Sequence, residues 1–562
     1  MTVAASGVAA GNIAAGLPAM ARERPHALAV LAPSGRDHAG RARHTHRTFL
    51  QLDRDSDAIA AGLVASGIGP GVRTVLMVRP SLEFFALTFG LFKAGAVPVL
   101  VDPGLGIRNL GPCLAQAEPA AFIGIPAAQA ARQVLRWGRE TIRTVVTVGR
   151  RWPGGGPTLD DVIRRGEGHP APMDDPGDDA TAAILFTSGS TGPPKGVVYT
   201  HAIFRNQVAI LRDLYQIRPG EVDLCTFPLF ALFGPALGMT CVVPEMDFTR
   251  PGQADPTKII GAIEDFGVTN LFGSPALIRR VGIEALRGVR LPSLRRVISA
   301  GAPVPARVLE TFGRMLDPEA KVYTPYGATE SLPVCSIEAG EILGETRYAT
   351  ETGAGVCVGR PAPGMRVEII RIDDGPIAAW SDDLLVPDGT VGEIVASGPV
   401  VTRSYFQRPE ATDLAKIDDP ASGTFRHRMG DLGYRDEQGR IWFCGRKAHR
   451  VETADGALYS VACEGIFNAA SGVARTALVG VGPRGAMRPV LCFEATPSRP
   501  YNELTRARRE EVEAELRAIG AQHAMTRGIQ TFLPHPGFPV DIRHNAKINR
   551  EALAAWAARR LP

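Results

Sequence analysis

Cysteine is sparse and dispersed in this chain. Its eight residues, at positions 113, 225, 241, 335, 357, 444, 463 and 492, form no CxxC pair and have no histidine cluster beside them. That spacing argues against a zinc site or a disulfide framework and predicts reduced, mostly buried thiols in a cytoplasmic protein. A strong charge of one sign is missing too. A net charge of +4 over 562 residues gives no global attraction to nucleic acid. Basic residues do gather at Arg36 to Arg47 and at Arg506 to Arg509, but the second group sits in a Glu-rich helical pattern and reads as a solvated face. No apolar run is long enough to cross a bilayer, and the longest, around Phe84 to Phe92, has the length of a buried helix. Met1 to Met20 is rich in Ala and Gly but lacks a basic start and an unbroken apolar stretch, so it does not read as a signal peptide. There is no internal repeat, and the low-complexity stretch Pro153 to Pro157 reads as a loop.

The chain does have the 45% apolar and 21% charged content of a soluble globular protein, at a length too great for one hydrophobic core. Between Val75 and Tyr323 short apolar runs alternate with helical patterns, which predicts α/β architecture with parallel sheets flanked by helices. The expected strands are Thr74 to Val78, Val97 to Val101, Ala121 to Ile125, Thr144 to Val148, Ala182 to Phe186, Thr269 to Phe272, Arg296 to Ser299 and Lys321 to Thr324. A helix from about Thr200 carries Phe204, Val208, Leu211 and Tyr215 as a core stripe. After Thr352, strands separated by Gly and Pro turns predict a β-rich subdomain, and from Arg446 the pattern becomes a compact α+β piece. The expected division is a large domain, 1–445, that binds nucleotide and acid, and a small mobile domain, 446–562.

Thr187 to Gly196, reading TSGSTGPPKG directly after the apolar run Ala182 to Phe186, has the chemistry of a polyphosphate grip. Gly189, Gly192 and Gly196 let backbone N–H groups approach an anion, Thr187, Ser188, Ser190 and Thr191 add donors, and Lys195 adds a point charge. A Walker loop would place glycine before the lysine and a hydroxyl residue after it. Here Pro194 and Gly196 flank Lys195, so this is a phosphate loop of another kind, expected to lead into a helix-like segment.

The string resembles the phosphate loop of the adenylate-forming synthetases, which include acyl-CoA synthetases, luciferases and peptide-synthetase adenylation domains. Further motifs extend the resemblance: Ser299-Ala300-Gly301-Ala302-Pro303, Tyr326-Gly327-Ala328-Thr329-Glu330, Met429-Gly430-Asp431-Leu432-Gly433, Phe443-Cys444-Gly445-Arg446 and His544-Asn545-Ala546-Lys547. The resemblance implies a large N-terminal domain, a mobile C-terminal one, and the joining of ATP and a carboxylic acid into an acyl adenylate with release of pyrophosphate. It implies that Gly301, Ala302, Pro303, Tyr326, Gly327 and Ala328 surround adenine, that Thr329 bonds the α-phosphate, and that Glu330 helps hold Mg²⁺. It implies further that Asp431 accepts the ribose hydroxyls, that Arg446 contacts ribose or phosphate near the hinge, and that Lys547 reaches into the site during adenylation. A carboxylate suits a hard cation, and a lysine suits the charge building on phosphorus.

Three positions depart from the common pattern: Met429 stands for threonine, Ala546 for glycine, and Ala448 for an Asp or Lys on which the small domain of relatives pivots toward a thiol acceptor. Pro228 to Gly234 resembles the acid-pocket motif, with Ala231 where many relatives carry His or a large aromatic residue, leaving room for a bulky acid. Phe230, Ala231, Phe233, Gly234, Met239 and Phe272 are the candidate pocket. Over nearly its whole length the chain resembles the β-lactone synthetases of bacterial long-chain olefin biosynthesis. That implies a 2-alkyl-3-hydroxyalkanoic acid whose own hydroxyl expels AMP, and as partners a lactone decarboxylase of the α/β-hydrolase type and a short-chain reductase. A long-chain acyl-CoA synthetase or acyl-AMP ligase, and a non-catalytic nucleotide-binding scaffold, remain as alternatives.

Overall fold

The computed structural model describes the chain apart from residues 1–10, 39, 41, 102–104, 170–171, 188–193, 228–232, 497–505, 541–546 and 562. Two sheets carry the first three quarters of it. A six-stranded sheet runs, in spatial order, Thr144–Thr147, Ala121–Gly124, Arg73–Met77, Val97–Val101, Thr181–Thr187 and Lys195–Thr200. All its pairings are parallel except the last. Ala182 to Phe186 is buried throughout, as expected of a strand covered on both faces by helices. The helix Leu82–Lys93 on this sheet starts at Ser81, whose hydroxyl accepts from the Phe84 N–H at 3.3 Å. It ends on buried Lys93, whose Nζ lies 2.6 Å from Asp53 and 2.5 Å from Asp57 of the helix Phe49–Ala65.

The second sheet has fourteen strands. Its parallel part contains Leu28–Arg36, Thr240–Val242, Val222–Cys225, Asn270–Phe272, Arg296–Ile298 and Lys321–Ala328. It continues without a break into antiparallel strands, among them Val356–Pro361, Ile441–Arg446, Thr424–Arg435 and Gly392–Ser397. The β-rich stretch after Thr352 is thus an extension of the same sheet by hydrogen bonding. One correction concerns Tyr326, Gly327 and Ala328, which do not follow a strand but lie within one, paired to Ser331–Glu338. Another is that the phosphate loop leads into a strand, Lys195–Thr200, before the helix expected from about Thr200 begins at His201.

The last part of the chain holds a three-stranded sheet, Val473–Val481, Arg488–Ala495 and Thr531–Pro534, backed by the helices Ser460–Phe467, Arg506–Gln522 and Arg550–Ala558. It has its own apolar clusters, centred on Phe467, Leu478 and Phe493 and on Val490, Phe538 and Leu553. All eight cysteines are buried, and none is in a disulfide. Among the described residues no helix is long and apolar enough to cross a membrane.

Candidate functional site

Parallel strands leave the C-terminal edge of a sheet lined by loops, and ligands bind there. Both large sheets turn that edge toward one cavity of about 1400 Å³, with Met77, Val101, Thr226, Val243, Phe272 and Ala300 on its wall. One end is polar and cationic. Lys195, Arg446, Lys447 and Lys547 reach it, as do Gly327, Ala328, Thr329 and Glu330, and Gly301. The other end is apolar, with Phe84, Phe92, Leu100, Phe186 and Phe204. A smaller apolar pocket of about 50 Å³ adjoins it and is lined by Phe233, Gly234, Met239 and Phe272. The Cβ that any other residue would add at Gly234 falls 2.2 Å from Cys241 Sγ, so glycine is required for that turn to pack.

Of the sequence-derived candidates, Ala302, Pro303, Tyr326 and Asp431 are not on the wall of the larger cavity, and Gly234 and Met239 line the smaller pocket alone. Ser188, Gly189, Ser190, Thr191, Gly192, Phe230 and Ala231 lie outside the described residues, as does the side chain of Thr187.

Glu330 is anchored at three points. Its backbone oxygen accepts from Thr402 N–H at 2.9 Å and Thr402 Oγ1 at 3.0 Å, and its carboxylate Oε1 accepts from the Tyr405 hydroxyl at 2.7 Å. Single bridges from Val197 to Tyr405 and from Ser331 to Val401 hold this segment between the Lys195 strand and the Glu330 turn. Lys195 Nζ sits 4.9 Å from the Tyr405 ring centre, a cation–π contact. Tyr199 donates its hydroxyl to the Thr329 backbone oxygen. Burial, followed by the Glu330 charge, holds Tyr405 far above the ordinary phenol range, so it acts as a donor.

Asp431 owes its position to Gly430, which adopts φ +65° where the register against Gly392–Ser397 slips. Such a bulge re-aims a strand. Tyr326 donates to Asp431 Oδ2 at 2.6 Å. Arg446, directly opposite in the ladder, brings Nη1 to 2.9 Å from Oδ1. That contact pairs the charges off the hydrogen-bond axis, so buried Oδ1 makes no hydrogen bond among the described residues. Burial raises the Asp431 pKa, against the pull of Arg446, Tyr326 and Lys547. Met429, the departure from threonine, packs in the core while its backbone oxygen accepts from Arg446 at 3.2 Å.

Chemically this is a cavity for a polyanion joined to an apolar acid. A buried carboxylate oxygen with unspent lone pairs fits a polyol such as ribose, and four cations fit phosphates. Among the described residues no cluster of three or more His, Cys, Asp or Glu could cage a metal. One carboxylate at Glu330 still fits Mg²⁺, which is commonly held by one or two carboxylates plus substrate phosphates.

Sequence reasoning missed Tyr199, Tyr405, Lys416 and His427. Lys416 is buried, and its Nζ donates to the Thr402 backbone oxygen, with Glu330 close enough to act on its charge. His427 is 3% exposed on the cavity wall, inside Arg426-His427-Arg428, which reads in isolation as a surface basic run.

Residues 18–406 match the AMP-binding enzyme family. The chain is 55% identical over 551 residues to the olefin beta-lactone synthetase of Xanthomonas campestris pv. campestris, covering 97% of each chain. It is 55% identical over 557 residues to the enzyme of that name from Stenotrophomonas maltophilia, covering 98% of each. Its fold matches an amide bond synthetase from Marinactinospora thermotolerans with a TM-score of 0.77 at 21% identity, over 97% of this chain and 99% of that one. The chain belongs to the AMP-binding enzyme family of adenylate-forming ligases, alongside the olefin beta-lactone synthetases.

Proposed function

We propose that this protein activates a 2-alkyl-3-hydroxyalkanoic acid with ATP, releasing pyrophosphate, and then closes the acyl adenylate to a β-lactone with loss of AMP. The observation that carries the reading is one cavity with cations and Glu330 at one end, where Asp431 pairs with the lining Arg446, and a long apolar lining at the other. Lys195 and Lys547 receive the phosphates, Asp431 and Arg446 the ribose, and Thr329 the α-phosphate. Glu330 is the residue that would hold Mg²⁺, which supplies positive charge against the phosphate oxygens when bound. Residues 1–445 form the adenylating body, and 446–562 carry Lys547 to it.

An internal hydroxyl next to the acyl carbon reacts at high effective concentration and needs no second substrate. The apolar wall keeps water from hydrolysing the adenylate. The hydroxy acid comes from a reductase step and the lactone passes to a decarboxylase, the two partner classes this product chemistry calls for. Purified protein given ATP, Mg²⁺ and a 2-alkyl-3-hydroxy acid should yield lactone and AMP without coenzyme A. Product that forms only when coenzyme A is added overturns the lactone reading. Lys547→Ala should abolish pyrophosphate release, and unchanged release would reject the role given to Lys547.

A further inference from the structure

Lactone closure needs a group that takes the proton of the attacking hydroxyl, and a cavity end rich in cations offers few. Glu330, Asp374 and Glu393 line it, but they already accept from Tyr405, from Arg450, and from Arg428 and Lys447, and Asp431 behind the wall accepts from Tyr326. His427 is different. Its Nδ1 lies 3.1 Å from the backbone oxygen of Ala415. A carbonyl can only accept, so Nδ1 carries the proton and Nε2 keeps a lone pair. Among the described residues the hydrogen bond of this ring is the one from Nδ1, and the ring stands on the cavity wall. The ring is fixed by its strand, since His427 pairs directly with Lys416 across the ladder.

We propose that His427 is the general base of lactone closure, its Nε2 accepting the proton of the substrate 3-hydroxyl as that oxygen attacks the acyl carbon. This rests on the β-lactone reading above. As the new carbon–oxygen bond forms, the bond from the acyl carbon to the AMP phosphate oxygen breaks and its electron pair leaves on AMP. Imidazole becomes imidazolium while AMP gains its second negative charge, and the proton then leaves with AMP or to water.

The surroundings suit that coupling. The charged groups acting on His427 are Lys416 from the paired strand, Lys195 from the strand Lys195–Thr200, and Arg446 from Ile441–Arg446. Burial first, then these cations, hold the imidazole well below its ordinary pKa, so it rests neutral. The negative charge that develops on the leaving phosphate offsets those same cations, so basicity rises as the reaction proceeds. A thiol acceptor would ionise more readily and need the base less.

The test separates the two half-reactions. His427→Asn keeps an amide N–H for the Ala415 oxygen and removes the Nε2 lone pair; His427→Gln is the second variant. In either, acid-dependent exchange of pyrophosphate into ATP should stay near wild type, while lactone formation falls by about 10²- to 10⁴-fold and adenylate accumulates or is hydrolysed. Wild-type lactone rates, or parallel loss of exchange and lactone, overturn the assignment. Single-turnover closure by the unmodified protein gives a check that does not depend on the variants' folding: a normal solvent deuterium isotope effect on closure is expected, and its absence overturns the assignment. Failure of the unmodified protein to make any lactone would instead overturn the reading of the function.

Discussion

Asp431 presents one oxygen that is spent and one that is not, and the difference has consequences. Tyr326→Phe removes the donor to Oδ2 and leaves a buried carboxylate less satisfied. The expected cost is about 1 to 3 kcal/mol, seen as a lower melting temperature and weaker ATP dependence of pyrophosphate exchange. An unchanged melting temperature would mean that the Tyr326 hydroxyl contributes nothing. Lys416 is the second residue-scale case. Burial pushes its pKa down to about 7, so from pH 7 to about 10.5 the unfolded chain binds a proton that the folded one does not. Stability from this group therefore rises with pH across that window. Lys416→Met should flatten the rise in melting temperature above pH 7, and an identical pH profile in the variant refutes the argument. The residues carrying motif chemistry were legible because glycine, hydroxyl, carboxylate and lysine recur at telling offsets. Tyr405, Lys416 and His427 were not, because strand pairing creates their setting, Tyr405 with Val197 and Lys416 with His427, and no local pattern announces it.

Among the elements, the helices Phe49–Ala65 and Leu159–Gly166 cross at glycine. A Cβ at Gly62 would stand 1.9 Å from the Val162 backbone oxygen, and one at Gly166 would stand 1.9 Å from that of Ala58. Backbone cannot yield as a side-chain tip does, so Gly62→Ala should destabilise by about 1 to 3 kcal/mol through overpacking while exchange activity survives below the new melting temperature. A neutral effect would show that the helices separate freely. Most of the expected parallel strands lie within a residue or two of those observed, since burial on both faces leaves unbroken apolar runs such as Ala182 to Phe186, whereas Leu28–Arg36, Val222–Cys225 and Thr240–Val242 were not among them. Tyr326 to Ala328 escaped because Pro325 and Gly327 signal a turn. Its strand character comes from the partner Ser331–Glu338 and from no propensity of its own.

Across the whole molecule, the α/β class and the change of pattern after Thr352 were legible. The fusion of parallel and antiparallel strands into one sheet was not, because sheet order is set by long-range pairing. The same long-range packing sequesters histidines. His201 accepts the Ile13 N–H on Nδ1 at 3.2 Å and is pushed down to about 4, mainly by burial. His449 is likewise pushed down to about 4, and His427 lower still than its ordinary range. As pH falls from about 6.5 toward 4 the unfolded chain takes up these protons first, so stability is lost with acidification. Asp223, raised to about 6 by burial, opposes them below that pH by holding its proton in the folded state. Three histidines would together give a slope approaching about 4 kcal/mol per pH unit, each contributing about a third. His201→Gln keeps a carbonyl acceptor for Ile13 and cannot titrate. Its loss of melting temperature between pH 6.5 and 5 should be smaller than that of the unsubstituted chain by the share of one proton. Equal losses would mean that His201 is charged in the folded state and that its bond to Ile13 is not what anchors the N-terminal segment against the helix His201–Tyr215.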